Sequence, residues 1–138
     1  MNIRPFCEKD TDSVVFLWTQ CHLIRSWNNP KSDINRKLNY QPELFFVGEL
    51  EGQIIATAMF GYEGHRGWVN YLAVSQFHQR KGHAKRLMEY GEQILQSLGC
   101  PKINLQIRND NAQVISFYQS IGYLNDNVIS YGKRLITD

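Results

Sequence analysis

A chain of 138 residues can build one self-supporting core and is too short for two, so residues 1–138 read as a single domain. Its composition, 43% hydrophobic and 20% charged, is globular, and a net charge of +2 is too slight to argue for a nucleic-acid partner. The three cysteines, Cys7, Cys21 and Cys100, are widely spaced with no C-x-x-C, which argues against a disulfide framework or a zinc site.

The opening MNIRPFCEKD is polar almost at once and lacks the apolar core of a signal peptide. The longest apolar run, Ile54 to Phe60 with Thr57 inside it, is far below the roughly 18 residues of a membrane span. These features predict a soluble, cytoplasmic protein with no membrane association.

Asn2 to Pro5 can form a short first strand, and Asp10-Thr11-Asp12-Ser13 offers caps and acidic charge to a helix start. Val14, Leu17, Trp18 and Cys21 then recur at helical spacing. Arg25 to Asn29 reads as a loop, with Asn29-Pro30 as the cap and first position of a second helix to about Tyr40. Leu44 to Leu50 and Gln53 to Tyr62 read as strands joined by a tight turn at Glu51-Gly52. The turn Glu63-Gly64-His65-Arg66-Gly67 leads into Trp68 to Val74, whose β-branched and aromatic residues favour a third long strand.

After the polar turn Gln79-Arg80-Lys81-Gly82-His83-Ala84, the apolar positions Ala84, Leu87, Met88, Gly91, Leu95 and Leu98 mark one face of a helix. Gly99 caps it, Pro101 prevents its continuation, and Lys102 to Ile107 alternates as a half-buried strand. A right-handed crossover would join this strand to the central one. A last helix from about Asn111 or Ala112 to Ser120, stopped by Gly122, and a final strand from about Val128 to Leu135 complete the chain. The expected fold is α+β, a mixed sheet of six or seven strands with about four helices.

The turn after the central strand ends at a helix N-terminus, where unpaired backbone N–H groups and the helix dipole attract phosphate or carboxylate. Gly82 allows close approach to the backbone, Arg80, Lys81 and Lys85 add positive charge, and Ala84 keeps the first turn open. The plain alternative is a surface loop of solvated cations. Neither G-x-x-x-x-G-K-[ST] nor a G-x-G-x-x-G following a strand is present. His22, His65, His78 and His83 have no metal-ligand spacing, so no metal is expected.

Gln79-x-x-Gly82-x-Ala84 after an apolar strand resembles the pyrophosphate-binding signature of the GNAT superfamily of N-acetyltransferases. Asn111-Ala112 and Phe117-Tyr118-Gln119-Ser120-Ile121-Gly122-Tyr123 are similar to that family's second motif at the expected distance, and the likeness covers nearly the whole chain. Leu23 to Pro30, Gly61 to Gly67 and Gly132 to Ile136 further resemble a small bacterial branch called YpeA-like.

The resemblance implies acetyl transfer from acetyl-coenzyme A to an amine, a small molecule or a peptide N-terminus, by direct attack in a ternary complex of a monomer or homodimer. It implies that Gln79, Arg80, Lys81, Gly82, His83, Ala84 and Lys85 cradle the diphosphate and that Val74 pairs with the pantetheine amides. The amide of Leu72 would polarise the thioester carbonyl. Asn111 would hydrogen-bond the cofactor, and Tyr118 would sit near its sulfur and protonate the departing thiolate. The loops carrying Arg25, Trp27, His65 and Arg66, together with Tyr71, would flank an acceptor, and the two arginines suit an acceptor with a carboxylate.

The base is where the chain departs from better-known members. Trp68 to Val74 contains no carboxylate, and Gln106 stands twelve residues before Tyr118 where some members have glutamate. Glu63, His65, or a water held by Asn70, Tyr71 and Gln106 are the remaining candidates. Without a strong base, the expected acceptor is an α-amine or another weakly basic nitrogen. Two other functions compete: a coenzyme A-binding regulatory protein without catalysis, and a nucleic-acid module using the cluster Arg80 to Arg86.

Overall fold

A computed structural model describes residues 1–138. The chain separates into two compact units, one of residues 1–104 with Asp138 and one of residues 105–137. The first holds a five-stranded sheet in the order β1-β2-β3-β4-β5, formed by Asn2–Pro5, Phe45–Leu50, Gln53–Tyr62, Gly67–Val74 and Ile103–Asn104. The first four strands pair antiparallel, and β5 joins β4 in parallel. No helix is long and apolar enough to cross a membrane.

The hairpin between β2 and β3 turns on Glu51 and Gly52, both at positive φ (52° and 78°), as a two-residue turn between twisted strands demands. Helix α1, Thr11–Gln20, lays Val14, Leu17 and Trp18 on one face of the sheet, where they join Phe6, Ile34, Phe45, Val47, Met59 and Ala73 in a single apolar cluster. Helix α2, Pro30–Leu38, starts where its sequence signals it: the Asn29 side chain accepts a hydrogen bond from Ser32 N at 3.1 Å, with Pro30 at the first position.

Helix α3, His83–Ser97, buries Leu87, Met88, Gly91 and Leu95, and Tyr90 meets Phe46 edge-on at 5.1 Å. A Cβ built on Gly91 would lie 2.1 Å from Cζ of Phe60, a ring that is itself buried. Gly91→Ala should therefore cost about 1–3 kcal/mol through overpacking, despite alanine's better helix propensity. A thermal melt checks this, and an unchanged midpoint would mean that α3 packs on Phe60 more loosely than the structure shows.

The sheet has five strands rather than six or seven. Lys102 to Ile107 shrinks to the two residues of β5, and Val128 to Leu135 forms no strand. A strand needs a ladder as well as a suitable composition, and the pairing of β5 extends over Gly67 and Trp68 alone. Residues 105–137 instead carry helix α4, Ala112–Ser120, followed by a segment in which Val128, Ile129, Tyr131 and Leu135 are exposed.

Candidate active site

The decisive irregularity lies in β4. Thr57 pairs with Ala73 and Met59 with Asn70, so the single residue Ala58 of β3 faces two of β4, Tyr71 and Leu72. This is a β-bulge. Tyr71 adopts φ +52°, a left-handed conformation uncommon for a bulky side chain. Three contacts hold it. Trp18 Nε1 donates to Thr57 Oγ1 at 2.9 Å, Thr57 Oγ1 donates to the carbonyl of Tyr71 at 2.8 Å, and the Tyr71 ring stacks on Trp18 at 3.7 Å between centroids, tilted by 10°.

Leu72 has no partner in the register with β3, and β5 reaches only Gly67 and Trp68. Leu72 is thus one of the two bulged residues, away from the regular register of both neighbouring strands. Val74 pairs with Ala56, and its carbonyl accepts from Gln79 Nε2 at 3.2 Å and from the Cys21 thiol at 3.5 Å. Gln79 thus ties the basic loop back to the end of β4.

That loop is shaped for an anion. Arg80 (φ +61°) and Gly82 (φ +82°) are both left-handed, and Gly82 is the N-cap of α3. Alternation of this kind directs successive amides towards one point. The first full helical turn closes at Arg86 N to Gly82 O, 3.0 Å, so the amides of His83, Ala84 and Lys85 precede it. A Cβ on Gly82 would meet nothing within 4 Å, so the backbone is uncovered at this point of the loop. Nearby, Nδ1 of His78 is buried without a hydrogen-bond partner. The His83 imidazole is held below its usual range by burial first, then by the positive charge of the N-terminus, His78, Lys81 and Arg86. An orphaned ring nitrogen, a helix N-terminus and a positive field are features that would suit the diphosphate of acetyl-coenzyme A.

Between α1 and α2, Arg25 and Trp27 are exposed on the connecting loop. His65 and Arg66 lie at the opposite end of β4. Arg66 precedes Leu72 by six residues, about 20 Å along extended chain, and its Nη1 donates to the carbonyl of His65 at 2.9 Å. Glu63 acts locally, since its carboxylate accepts from His65 N at 3.0 Å and from Arg66 N and so shapes the β3–β4 turn.

In the unit of residues 105–137, the Asn111 side chain caps α4 by accepting from Val114 N at 3.2 Å. Tyr118 is buried, with Phe117 and Tyr123 edge-on to its ring at 5.1 and 5.6 Å. Burial pushes its phenol up to about 12. Gln106 donates to the Ser130 hydroxyl.

A model of the Acetyltransferase (GNAT) family matches residues 10–123. The chain belongs to the GNAT acetyltransferase family. An acetyltransferase of Yersinia pestis (strain Pestoides F) is similar to this GNAT chain, 45% identical over 138 residues that cover 100% of it and 98% of the relative. Among solved structures, an aminoglycoside antibiotic 6'-N-acetyltransferase from Acinetobacter haemolyticus superposes with a TM-score of 0.74 at 20% identity, covering 99% of each chain. Ard1 from Thermoplasma volcanium superposes with a TM-score of 0.77 at 22% identity, covering 89% of this chain and 82% of its own. At these identities the two structures speak for the fold alone. The GNAT chain is an acyltransferase that moves an acetyl group to an amine, and neither a nucleic-acid module nor a regulatory protein without catalysis is favoured.

Two features of the site were not visible in the sequence. The bulge at Tyr71 and Leu72 falls in a run whose composition favours regular strand, and its one trace is Thr57, the polar residue in the apolar run of β3. The second is Asp33. Its carboxylate accepts from the Tyr71 hydroxyl at 2.6 Å across 38 residues of sequence, a pairing that no local pattern announces.

Proposed function

We propose that the protein transfers acetyl from acetyl-coenzyme A to the amine of a small molecule or a peptide N-terminus, by direct attack in a ternary complex. The observation that carries this reading is the continuity of β4 into the anion loop: a strand with a bulge at Tyr71 and Leu72 runs directly into a helix start and cations suited to a diphosphate.

The bound cosubstrate would supply the activated acyl group as a thioester. The chain's own residues do the rest. Gln79, Arg80, Lys81, Gly82, His83, Ala84 and Lys85 bind the diphosphate, Val74 aligns the pantetheine arm, and Asn111 adds a hydrogen bond. The Leu72 amide stabilises negative charge as it develops on the acyl oxygen, an effect worth up to a few kcal/mol when the donor is preorganised. Tyr118 gives its proton to the departing sulfur, a role suited to a phenol that stays protonated throughout the neutral range.

The acceptor enters beside Tyr71, under the loop that carries Arg25 and Trp27. His65 and Arg66, at the far end of β4, are reserved for the distal part of an extended acceptor, and the arginines suit an acceptor with an anionic group. The aminoglycoside 6'-N-acetyltransferase that shares the fold is an example of the small-molecule class.

Calorimetric titration with acetyl-coenzyme A, followed by thiol release over a panel of amines, tests the reading. Saturable binding with amine-dependent thiol release is expected. Binding with no release for any amine would leave a coenzyme A-binding regulator in its place, and binding to nucleic acid that falls steeply with salt and ignores coenzyme A would restore the third reading.

A further inference from the structure

The sequence offers no carboxylate on the central strand, yet the structure brings one to it. Asp33 lies in the first turn of α2, immediately after the loop that carries Arg25 and Trp27, and its Oδ2 accepts the Tyr71 hydroxyl at 2.6 Å. Tyr71 is the left-handed residue of the bulge, and the next residue is Leu72. The phenol is fixed at both ends, by the Trp18 stack and Thr57 bond at the backbone side and by Asp33 at the hydroxyl.

Four other acidic groups in this unit are engaged elsewhere. Asp10 and Glu49 pair with Arg4 at the edge of the sheet, at 2.8 Å each, Glu89 lies 3.9 Å from Lys85 on α3, and Glu63 shapes its own turn. Asp33 alone among these five is joined to a side chain of β4.

The charge of Asp33 is not fully spent. Its Oδ1 meets Arg36 Nη1 only at 3.2 Å, while the Arg36 fork grips both oxygens of Asp138, at 3.0 and 2.6 Å. The Asp33 side chain keeps 27% of its surface in solvent. The Tyr71 hydroxyl has committed its proton to Asp33 and its oxygen accepts from the Asn28 side chain, so one lone pair remains as an acceptor. A carboxylate oxygen with one long, exposed partner, beside a phenol oxygen able only to accept, is a receptor for an N–H-rich cation.

We propose that Asp33, held by Tyr71, forms a cation subsite for the acceptor, so that the acceptor is an amine that carries a second, unreacting positive charge. This rests on the acetyl-transfer reading of the same strand. Asp33 contacts the acceptor's cation, Tyr71 positions Asp33 and adds an acceptor oxygen, and Arg36 competes for Oδ1. No proton or bond changes hands at this subsite.

The test compares 1,5-diaminopentane with n-pentylamine, which share a reacting amine and differ in the second ammonium. With coenzyme A present, equilibrium binding is measured by NMR, and with acetyl-coenzyme A, thiol release gives kcat/KM. The wild-type chain should prefer the diamine by about tenfold or more, as one desolvated charge pair predicts. Asp33→Asn should abolish that preference mainly through KM, Asp33→Glu should restore part of it, and Tyr71→Phe should give an intermediate loss. Arg36→Ala should strengthen diamine binding by freeing Oδ1, the reverse of what a merely structural Asp33–Arg36 contact would give. No diamine preference in the wild type, an equal loss for both amines in Asp33→Asn, or weaker diamine binding in Arg36→Ala would overturn the subsite. Diamine binding that depends on Asp33 while no amine releases thiol would instead keep the subsite and overturn the acetyl-transfer reading.

Discussion

Tyr118→Phe should lower kcat by about tenfold to a thousandfold while acetyl-coenzyme A binds as before, because the substitution removes one hydroxyl and leaves the buried ring in place. Burial raises the phenol's pKa to about 12, and the sign matters. A raised value keeps the hydroxyl protonated and able to donate at every pH an assay would use, so Tyr118 should contribute no falling limb to the pH–rate profile below about pH 11. The rising limb belongs to deprotonation of the acceptor amine and should persist in the variant. Steady-state rates between about pH 6 and 9.5, a window around the α-amine pKa, decide the matter, with calorimetric affinity for acetyl-coenzyme A as the control on folding. Full kcat in Tyr118→Phe would refute the acid assignment, and a lost rising limb would mean that Tyr118 takes part in amine activation instead.

The basicity of the acceptor looks different once Asp33 is known. A lysine-like amine with a pKa near about 10.4 incurs roughly 4.6 kcal/mol at pH 7 to be free, whereas an α-amine incurs about 1 to 1.4 kcal/mol. Asp33 is positioned to attract a cation and does not lower that cost for the reacting nitrogen. A weakly basic reacting amine beside a strongly basic second one would satisfy both demands, and the pH at which the rising limb levels off reports which nitrogen is attacked.

The parts of the site that could be read from the sequence are those in which neighbours in sequence are neighbours in space. The anion loop is one: the glycine that leaves the helix start open, the cations beside it and the change from strand to helix period all fall within Trp68 to Leu98. The α2 start at Asn29-Pro30 and the Glu51-Gly52 turn are others, since each is decided by side-chain or backbone preferences of two or three residues. The bulge was not legible because it is a mismatch between two strands, and neither strand's composition encodes a mismatch. Val128 to Leu135 misleads for the complementary reason. Its residues suit a strand, but a strand also needs a neighbour, and the last ladder of the sheet ends at Asn104. Asp33 carries no signal of its own, because within α2 it is one polar residue among several and its meaning comes from Tyr71, on a distant strand.

Substitutions at Gly82 should separate the two contributions that the anion loop makes. Gly82 is the N-cap of α3 and sits at φ +82° with open space where a side chain would point, so any side chain adds left-handed strain of about 1 kcal/mol and stands at the start of the helix. Asparagine tolerates the left-handed region, and aspartate matches it in size while adding a negative charge. Gly82→Asn should therefore weaken acetyl-coenzyme A by less than about tenfold. Gly82→Asp should weaken it by about ten- to a hundredfold more, since like charges a few ångströms apart at a protein surface repel by up to about 4 kcal/mol before screening. The gap between the two variants should narrow as salt rises from low to physiological strength, because the Debye length falls to about 8 Å. It should vanish for pantetheine, which carries no diphosphate. Calorimetry with both ligands measures all of this. Equal losses for pantetheine and acetyl-coenzyme A would mean that the substitution damages the end of β4, through Gln79 and its bond to Val74, rather than the phosphate cradle. An affinity that survives Gly82→Asp would place the diphosphate somewhere other than the start of α3.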